Sequence, residues 1–335
     1  MTNSIEYASP HIRNNENEML ISLDFFIASL PVIIWSVIAY GMRSLGIIVF
    51  SMLCAEIFEL VLACIFKGRV KLYTAALLGM IVTFFMPATI SYWFIPLAAL
   101  IAIVARRFTK GVLNPIAAAL LPLFLFENEM TVFTRVHHKL ELGVFTYAGS
   151  IEDMAVTLPV KTLSPETTPA ASSLDVFLGN SPESLGGLSA ALLLIGCGYL
   201  IMRGVISWRI PVGFIGGAAV MWYLLMFDGV NYEYAVYHLC SGGIILAAVF
   251  GATEYSSSPV VPFGRLVHGV GCGVLAMIFR SLGLYTEGVL LAMLIMSALS
   301  RIIDLVTAER YFGYRTKKLG ERFGGFLPKK KNIDD

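Results

Sequence analysis

Three acidic residues lie inside long apolar stretches of the sequence, where they could handle ions. Asp24 falls within the first apolar run, and Glu56 and Glu59 fall within the second. The spacing i, i+3 would place the two glutamates on one face of a helix. An ionisable group at mid-membrane costs about 2.5–3.5 kcal/mol on insertion scales, so such residues are functional candidates. They could line a cation path. Alternatively, Asp24 lies near a water-filled vestibule and the glutamates face other subunits.

The composition indicates that these stretches belong to a polytopic membrane protein. Of the 335 residues, 57% are apolar and only 14% are charged, whereas soluble proteins carry about 25% charged residues. A net charge of +1 does not suggest a nucleic-acid partner. The five cysteines have no CxxC spacing, so we predict that they pack and bind no metal.

Ten apolar segments, five on each side of a long polar stretch, predict an all-α fold of about ten transmembrane helices. They cover residues 20–40, 47–66, 72–86, 92–105, 112–126, 188–202, 211–227, 236–250, 266–279 and 289–303. Several are shorter than the roughly 20 residues of a straight crossing. Short, Pro- or Gly-interrupted segments in corresponding positions favour an internal repeat. Five spans per half would make the two halves inverted.

The resulting division has an N-terminal arm (1–18), a first five-helix half (19–126) and a loop (127–187). A second half (188–304) and a basic tail (305–335) follow. Most of the 24 lysines and arginines fall on the side that holds the arm and the tail, and Arg43 and Arg280 count with the other side. Because basic residues prefer the cytoplasm, both termini are predicted to be cytoplasmic and the loop to lie outside. The tail would contact anionic membrane lipid.

Blocks of sequence along nearly the whole chain resemble a known family. The blocks are residues 9–13, 23–24, 30–31, 114–115, 205–212, 238–243, 258–264, 285–289, 298–299 and 302–304. Together they resemble the D subunit of the Rnf electron-transport complex, which is related to the B subunit of the sodium-pumping NADH:quinone reductase.

The resemblance implies a urea-transporter-like ten-helix fold and FMN joined through a phosphodiester to a threonine of the outer loop. That threonine would be Thr168, which is followed by Pro169 and, at the expected distance, by the block 177–186. The segment departs from the family pattern at Thr162, at Pro165 and at residues 166–167. The alternative is a threonine that orders its own turn through side-chain hydrogen bonds.

Five further residues are candidates for the cofactor site by the same resemblance. Small residues at Ser241, Gly242, Gly243 and Ser258 would allow a flat ring to approach the backbone closely, although they would equally allow helix packing. Asn114 precedes Pro115 as in the family, but without the arginine that follows there.

The resemblance implies a multi-pass inner-membrane subunit of an ion-translocating ferredoxin:NAD oxidoreductase complex. Its partners would be the other Rnf subunits and a flavin transferase. The complex would couple electron transfer to Na⁺ or H⁺ movement, and this chain would hold a flavin with no catalytic side chain of its own. The alternative is a non-redox transporter or scaffold subunit of the same fold that has lost the covalent flavin.

Overall fold

A computed structural model describes residues 18–68, 70–109, 111–124, 130, 133–134, 155–156, 172–226 and 233–307 of the chain. The expectation of a helical membrane protein is confirmed in these residues. Their β structure is one antiparallel pair, β1 (Phe133–Thr134) with β2 (Ala155–Val156), in the register Phe133 to Val156. This small ladder lies within the long loop that the sequence predicts.

Five of the helices in the described residues precede the loop. They are α1 (Glu18–Tyr40), α2 (Met42–Phe66), α3 (Leu72–Phe84), α4 (Phe94–Thr109) and α5 (Pro115–Leu123). α3 ends two residues before the predicted position, because Pro87 disfavours a helical residue before it and cannot itself continue the ladder. α5 begins with Asn114 as its cap, whose Oδ1 accepts the backbone N–H groups of Ile116 and Ala117 at 3.0 and 3.2 Å.

One short helix, α6 (Ser173–Leu178), lies within the predicted loop, and the described helices after the loop are α7 (Ala190–Met202), α8 (Arg209–Met226), α9 (Glu233–Cys240), α10 (Ile244–Leu246), α11 (Pro262–Ser281) and α12 (Thr286–Thr307). A π-helical turn, Ala247–Gly251, continues α10. The segment predicted as one helix over residues 236–250 is interrupted at Ser241, Gly242 and Gly243. Gly242 and Gly243 have φ values of 71° and 76°, in the left-handed region that a glycine adopts without a steric penalty.

Four of the described helices, α1, α2, α11 and α12, are long and apolar enough to cross a bilayer. Three shorter apolar helices, α3, α7 and most of α8, accompany them. Large apolar side chains cover the outward faces, such as Ile34 at 57% exposure and Ile65 at 64%. Such surfaces are stable in hydrocarbon and in contact with other apolar surfaces, so the chain is a membrane protein.

α8 and α11 pack closely because each carries two glycines four residues apart, Gly213 with Gly217 and Gly269 with Gly273. A Cβ at Gly217 would lie 2.6 Å from a carbonyl oxygen of α11, and one at Gly269 would lie 2.5 Å from a carbonyl oxygen of α8. This small-residue pattern lets two backbones approach within a membrane, where packing rather than hydrophobic exclusion holds helices together.

The π-helical turn lies at the centre of the packed core. The ring of Phe250 lies 6.1 Å from that of Phe25 in α1 and 5.9 Å from that of Phe84 in α3. Both pairs are tilted or edge-on, which aromatic quadrupoles prefer. The contacts join the helices before the loop to those after it.

Candidate functional site

The segment that follows α6 returns the chain from the loop to the helices. α6 ends at Gly179, whose φ is 96° and whose N–H donates to the carbonyl of Asp175 at 2.8 Å. The Trp35 Nε1–H of α1 donates to the Gly179 carbonyl at 3.2 Å. A Cβ at Gly179 would meet that indole nitrogen at 2.8 Å, so only glycine allows this approach. The end of α6 is therefore fixed against α1.

Glu183 connects this segment to the break between α9 and α10. The Ser241 hydroxyl donates to its Oε2 at 2.6 Å, and the Gly242 N–H donates to the same oxygen at 3.1 Å. The Tyr40 hydroxyl donates to the Glu183 carbonyl at 2.7 Å and accepts from the Glu183 N–H at 3.0 Å. Burial raises the pKa of the Glu183 carboxyl, and the bonds from Ser241 and Gly242 oppose that rise.

The same segment pairs with the end of α3. The Leu185 N–H donates to the Met86 carbonyl at 3.0 Å, and the Gly186 N–H donates to the Phe84 carbonyl at 2.9 Å. These carbonyls have no intrahelical partner, because α3 stops there. Residues 183–186 thus contact two interrupted helices, one on each side of the loop in the sequence.

Arg280 of α11 satisfies the carbonyl groups that the second break leaves without helical partners. Its guanidinium donates to the carbonyls of Ser241 and Gly242, each at 3.2 Å, and to the carbonyl of His238. The residue is only 2% exposed. Irregular backbone at membrane depth must find such partners within the protein, and Arg280 supplies them here.

Arg43 of α2 does the same at the break after α3. Its Nε donates to the Ala88 carbonyl at 3.1 Å and its Nη2 donates to the Ile90 carbonyl at 2.9 Å. The guanidinium carbon also lies 5.0 Å from the centroid of the Tyr92 ring, within reach of a cation–π interaction. Each break is therefore held by one buried arginine.

These roles are not visible in the sequence. The charge distribution assigns Arg43 and Arg280 to outer segments, but both are buried inside helices, because each charge is matched by carbonyl groups that only the folded breaks present. Glu183 lies in a block that the resemblance includes, without a role. An arginine inside an apolar segment next to a Gly- or Pro-interrupted one is the signal that could have identified the pair.

The predicted cofactor residues do not form one cluster. Ser241 and Gly242 use their hydroxyl and N–H groups to hold Glu183. Ser258 lies in a turn, its N–H donating to the Glu254 carbonyl at 3.2 Å. The helical stretch from Ile244 to Gly251 separates the two places along the chain. Thr168 lies outside the described residues.

Asn114 joins the helices before the loop to those after it. Besides capping α5, its side-chain nitrogen donates to the Gly251 carbonyl at 2.8 Å, and its backbone N–H donates to the Ser297 hydroxyl at 3.0 Å. The side chain is 2% exposed. These contacts give the residue a packing role, and its role toward a cofactor stays a prediction.

Two of the three predicted ion-path acids are paired with arginines. Asp24 accepts from the Tyr199 hydroxyl at 2.9 Å and from the Arg203 guanidinium at 3.2 and 3.3 Å. Glu59 accepts from Arg106 at 3.1 Å and from Arg107 at 3.0 Å. Both acids are buried, and such charge-assisted bonds compensate for part of their desolvation.

A cavity of about 740 Å³ opens between the ends of α1, α2, α3 and α4. Charged side chains are part of its lining, among them Glu59 with its two arginines and the Glu18–Lys71 ion pair. Phe25 and Phe250 are among its apolar lining residues. The other two predicted ion-path acids, Asp24 and Glu56, are not among its lining residues. The cavity can hold an amphipathic molecule or water.

The known proteins that are similar to this chain belong to one family, and each is similar over most of the chain. The family model described as the NQR2, RnfD, RnfE family matches residues 5–313. The D subunit of the Na⁺-translocating ferredoxin:NAD⁺ oxidoreductase complex of Acetobacterium woodii is 30% identical over 91% of this chain and 94% of its own length. The D subunit of the proton-translocating complex of Clostridium ljungdahlii is 26% identical over 92% and 96%. The D subunit of an ion-translocating oxidoreductase complex of Stutzerimonas stutzeri is 29% identical over 88% and 91%.

The fold and the site define a helical membrane protein with interrupted helices, each braced by a buried arginine. A match over most of the length assigns its family. The chain belongs to the NQR2, RnfD, RnfE family, and the resemblance seen in the sequence blocks is confirmed.

Proposed function

We propose that this chain is the D subunit of an Rnf-type complex that passes electrons between ferredoxin and NAD and couples them to Na⁺ or H⁺ movement. The relatives carry that description in their names and align with this chain over nearly its full length. The observation that carries the structural side of the proposal is the Glu183 contact, which seats the end of the outer loop on a broken helix.

In this proposal the chain holds FMN on Thr168, at the outer face. Thr168 is five residues before Ser173, so chain length alone limits its distance from the start of α6 to about 18 Å. α6 in turn is fixed to α1 through Gly179. Ser241 and Gly242 already bind Glu183. In this proposal the described residues therefore position the loop that carries the flavin and do not contact the flavin through these two residues.

A bound flavin would supply one- and two-electron chemistry, which no side chain of this chain provides. The protein's part is to bring the acceptor hydroxyl to one place and keep it there. Gly179, Glu183 and the paired residues 185–186 limit how far the loop end can move from the helices. Such an arrangement would fix the distance between the flavin and the next redox partner.

Two further parts of the proposal concern architecture. The helices before and after the loop form two inverted five-helix halves of urea-transporter type, in the inner membrane, with both termini cytoplasmic. The third span of each half is interrupted, after Phe84 in one case and at Ser241–Gly243 in the other, and these corresponding breaks support an internal repeat.

The flavin proposal is tested on the peptide spanning residues 162–174 after co-expression with a flavin transferase. A phosphodiester needs a hydroxyl, so Thr168→Ala should abolish the FMN mass on this peptide, and Thr168→Ser should retain part of it. Thr167→Ala is the matched control and should keep the modification. In-gel flavin fluorescence of the denatured chain gives an independent readout.

An unmodified peptide in the wild-type chain would contradict the attachment and favour the second candidate, a non-redox transporter or scaffold subunit. The departures at Thr162, Pro165 and residues 166–167 favour that alternative, because Glu166 places bulk and negative charge near an incoming phosphate. If that charge blocks the transferase, Glu166→Gly combined with Thr167→Ala should raise flavin occupancy.

A further inference from the structure

Glu56 differs from the two other acids of the apolar segments in having no hydrogen-bond or ion-pair partner among the residues that the structure describes. It lies two residues past the midpoint of α2 (Met42–Phe66), about 3 Å along the helix axis. The end of α2 at Phe66 is ten residues away, about 15 Å, which a glutamate side chain does not span. The carboxyl group therefore lies near the middle of a helix that is long enough to cross the membrane.

The side chain lies on the outer surface of the described helices. It is half-buried, and its helical neighbours Val49, Leu53 and Leu60 are 45%, 52% and 42% exposed. It is not among the residues that line the cavity, whereas Glu59, one turn further along, is. The cavity therefore offers Glu56 no wall of polar partners, and hydrocarbon would not stabilise a carboxylate either.

We propose that this face of α2, defined by Val49, Leu53, Glu56 and Leu60, docks a transmembrane helix of another subunit that presents a lysine or arginine at mid-depth. Ionisable residues at such depth pair with one another or with a cavity, and the described part of the chain offers neither. A cation on the partner would compensate the carboxylate, and the three apolar neighbours would pack around the pair. The inference rests on the proposed function in one respect, that the chain is one subunit of a complex.

A second copy of this chain does not fit the same role through α2. The basic residue of that helix is Arg43, near its first turn, where it is buried and bound to the carbonyls of Ala88 and Ile90. Two α2 helices side by side would bring two carboxyl groups together without a cation. Charge complementarity thus disfavours an α2–α2 contact, and the proposal takes a different polypeptide as the occupant.

The test uses the assembled complex in its native membrane. A photo-reactive benzoyl-phenylalanine replaces Leu60, and the adduct is identified by peptide mass spectrometry. We expect an adduct with a transmembrane peptide of another polypeptide that has a lysine or arginine within one helical turn of the cross-linked residue. The adduct yield, normalised to the amount of chain, should fall about tenfold with Glu56→Leu, which equals about 1.4 kcal/mol.

Glu56→Leu is informative because it makes α2 more apolar, so membrane insertion should be retained. Glu56→Gln keeps hydrogen-bonding capacity but removes the charge, and we expect a fall of about threefold. A second photo-reactive position at Val220 of α8, which is 60% exposed, serves as the matched control. Whatever adduct forms there should be unchanged by either substitution.

Four results would overturn the docking proposal: adducts with lipid only, adducts with a second copy of this chain, a partner peptide without a basic residue, or an unchanged yield with Glu56→Leu. The FMN mass on the peptide spanning residues 162–174 is measured in the same preparation. The expected adduct with an unmodified peptide would support docking while contradicting the flavin proposal, so the two can fail separately.

Discussion

Replacing Glu183 with alanine should destabilise the protein strongly, because one side chain serves several buried groups. The substitution leaves the Ser241 hydroxyl and the Gly242 N–H without acceptors, and it removes the negative charge close to the buried Arg280. A buried polar group without a partner costs about 1–3 kcal/mol. Breaking a buried charge arrangement by removing one partner costs about 3–5 kcal/mol. Because these costs overlap, we expect a loss of about 3–5 kcal/mol in the free energy of unfolding.

The assay is unfolding of the detergent-solubilised protein, followed by tryptophan fluorescence. Glu183→Gln retains an acceptor for Ser241 and should cost less, about 1–2 kcal/mol. Glu254→Ala is the matched control. Glu254 also accepts from serines, but it is half-buried, in a turn at the other end of the stretch from Ile244 to Gly251, so its loss should cost less than that of Glu183, about 1–2 kcal/mol.

A double-mutant cycle distinguishes the proposed bond from general damage. Ser241→Ala removes the donor together with its need for an acceptor, so the effects of Glu183→Ala and Ser241→Ala should be less than additive by about 1–2 kcal/mol. Limited proteolysis within residues 135–170 should also accelerate in Glu183→Ala, because the end of the loop loses its anchor. Strict additivity, or a Glu183→Ala variant as stable as Glu254→Ala, would refute the reasoning.

Three further predictions concern orientation, charge and packing. A cysteine at Ser172 should react with an impermeant thiol reagent in intact cells and one at Lys318 should not; the reverse pattern would contradict an outer loop. Glu59→Gln should lower ion-coupled transport, because Arg106 and Arg107 lose their counter-charge. The flavin should stay on its peptide. Unchanged transport would indicate that the acid has only a structural role. Gly217→Leu should destabilise the pairing of α8 with α11 by at least about 2 kcal/mol, measured by thermal unfolding, whereas Gly216→Leu, whose Cβ position is open, should stay near wild type.

Much of the helical layout follows from the sequence, since hydropathy reports how well a segment tolerates hydrocarbon. The first apolar run predicts a helix over residues 20–40, and α1 spans Glu18–Tyr40. Hydropathy does not predict α6, although Ser172 and Asp175 have the spacing of a helix start. Hydropathy also does not predict the interruption at Ser241–Gly243. The averaging window includes apolar residues on both sides of it, so the mean hydropathy stays high there.

The contacts that build the site could not be predicted, because they depend on tertiary structure. Asp24 and Arg203 lie 179 positions apart in the sequence, and neither carries a local signal for the other. Glu183 meets Ser241 across 58 positions. The resemblance identifies the right blocks, and the structure shows which atoms within them meet. The attachment of FMN at Thr168 stays a prediction, because Thr168 lies outside the described residues.

The two arginines that brace the helix breaks also decide how those breaks treat a cation. In transporters with interrupted helices, unwound carbonyl oxygens replace water around a bound Na⁺. Here the carbonyls of Ala88, Ile90, Ser241 and Gly242 already accept from guanidinium groups. A cation about 4 Å from such a guanidinium is repelled by about 4 kcal/mol at an effective dielectric constant near 20. The carbonyl groups of both breaks are therefore already occupied by arginine, and the charge of Arg43 disfavours a cation after α3, whereas at the second break Glu183 offsets part of the charge of Arg280.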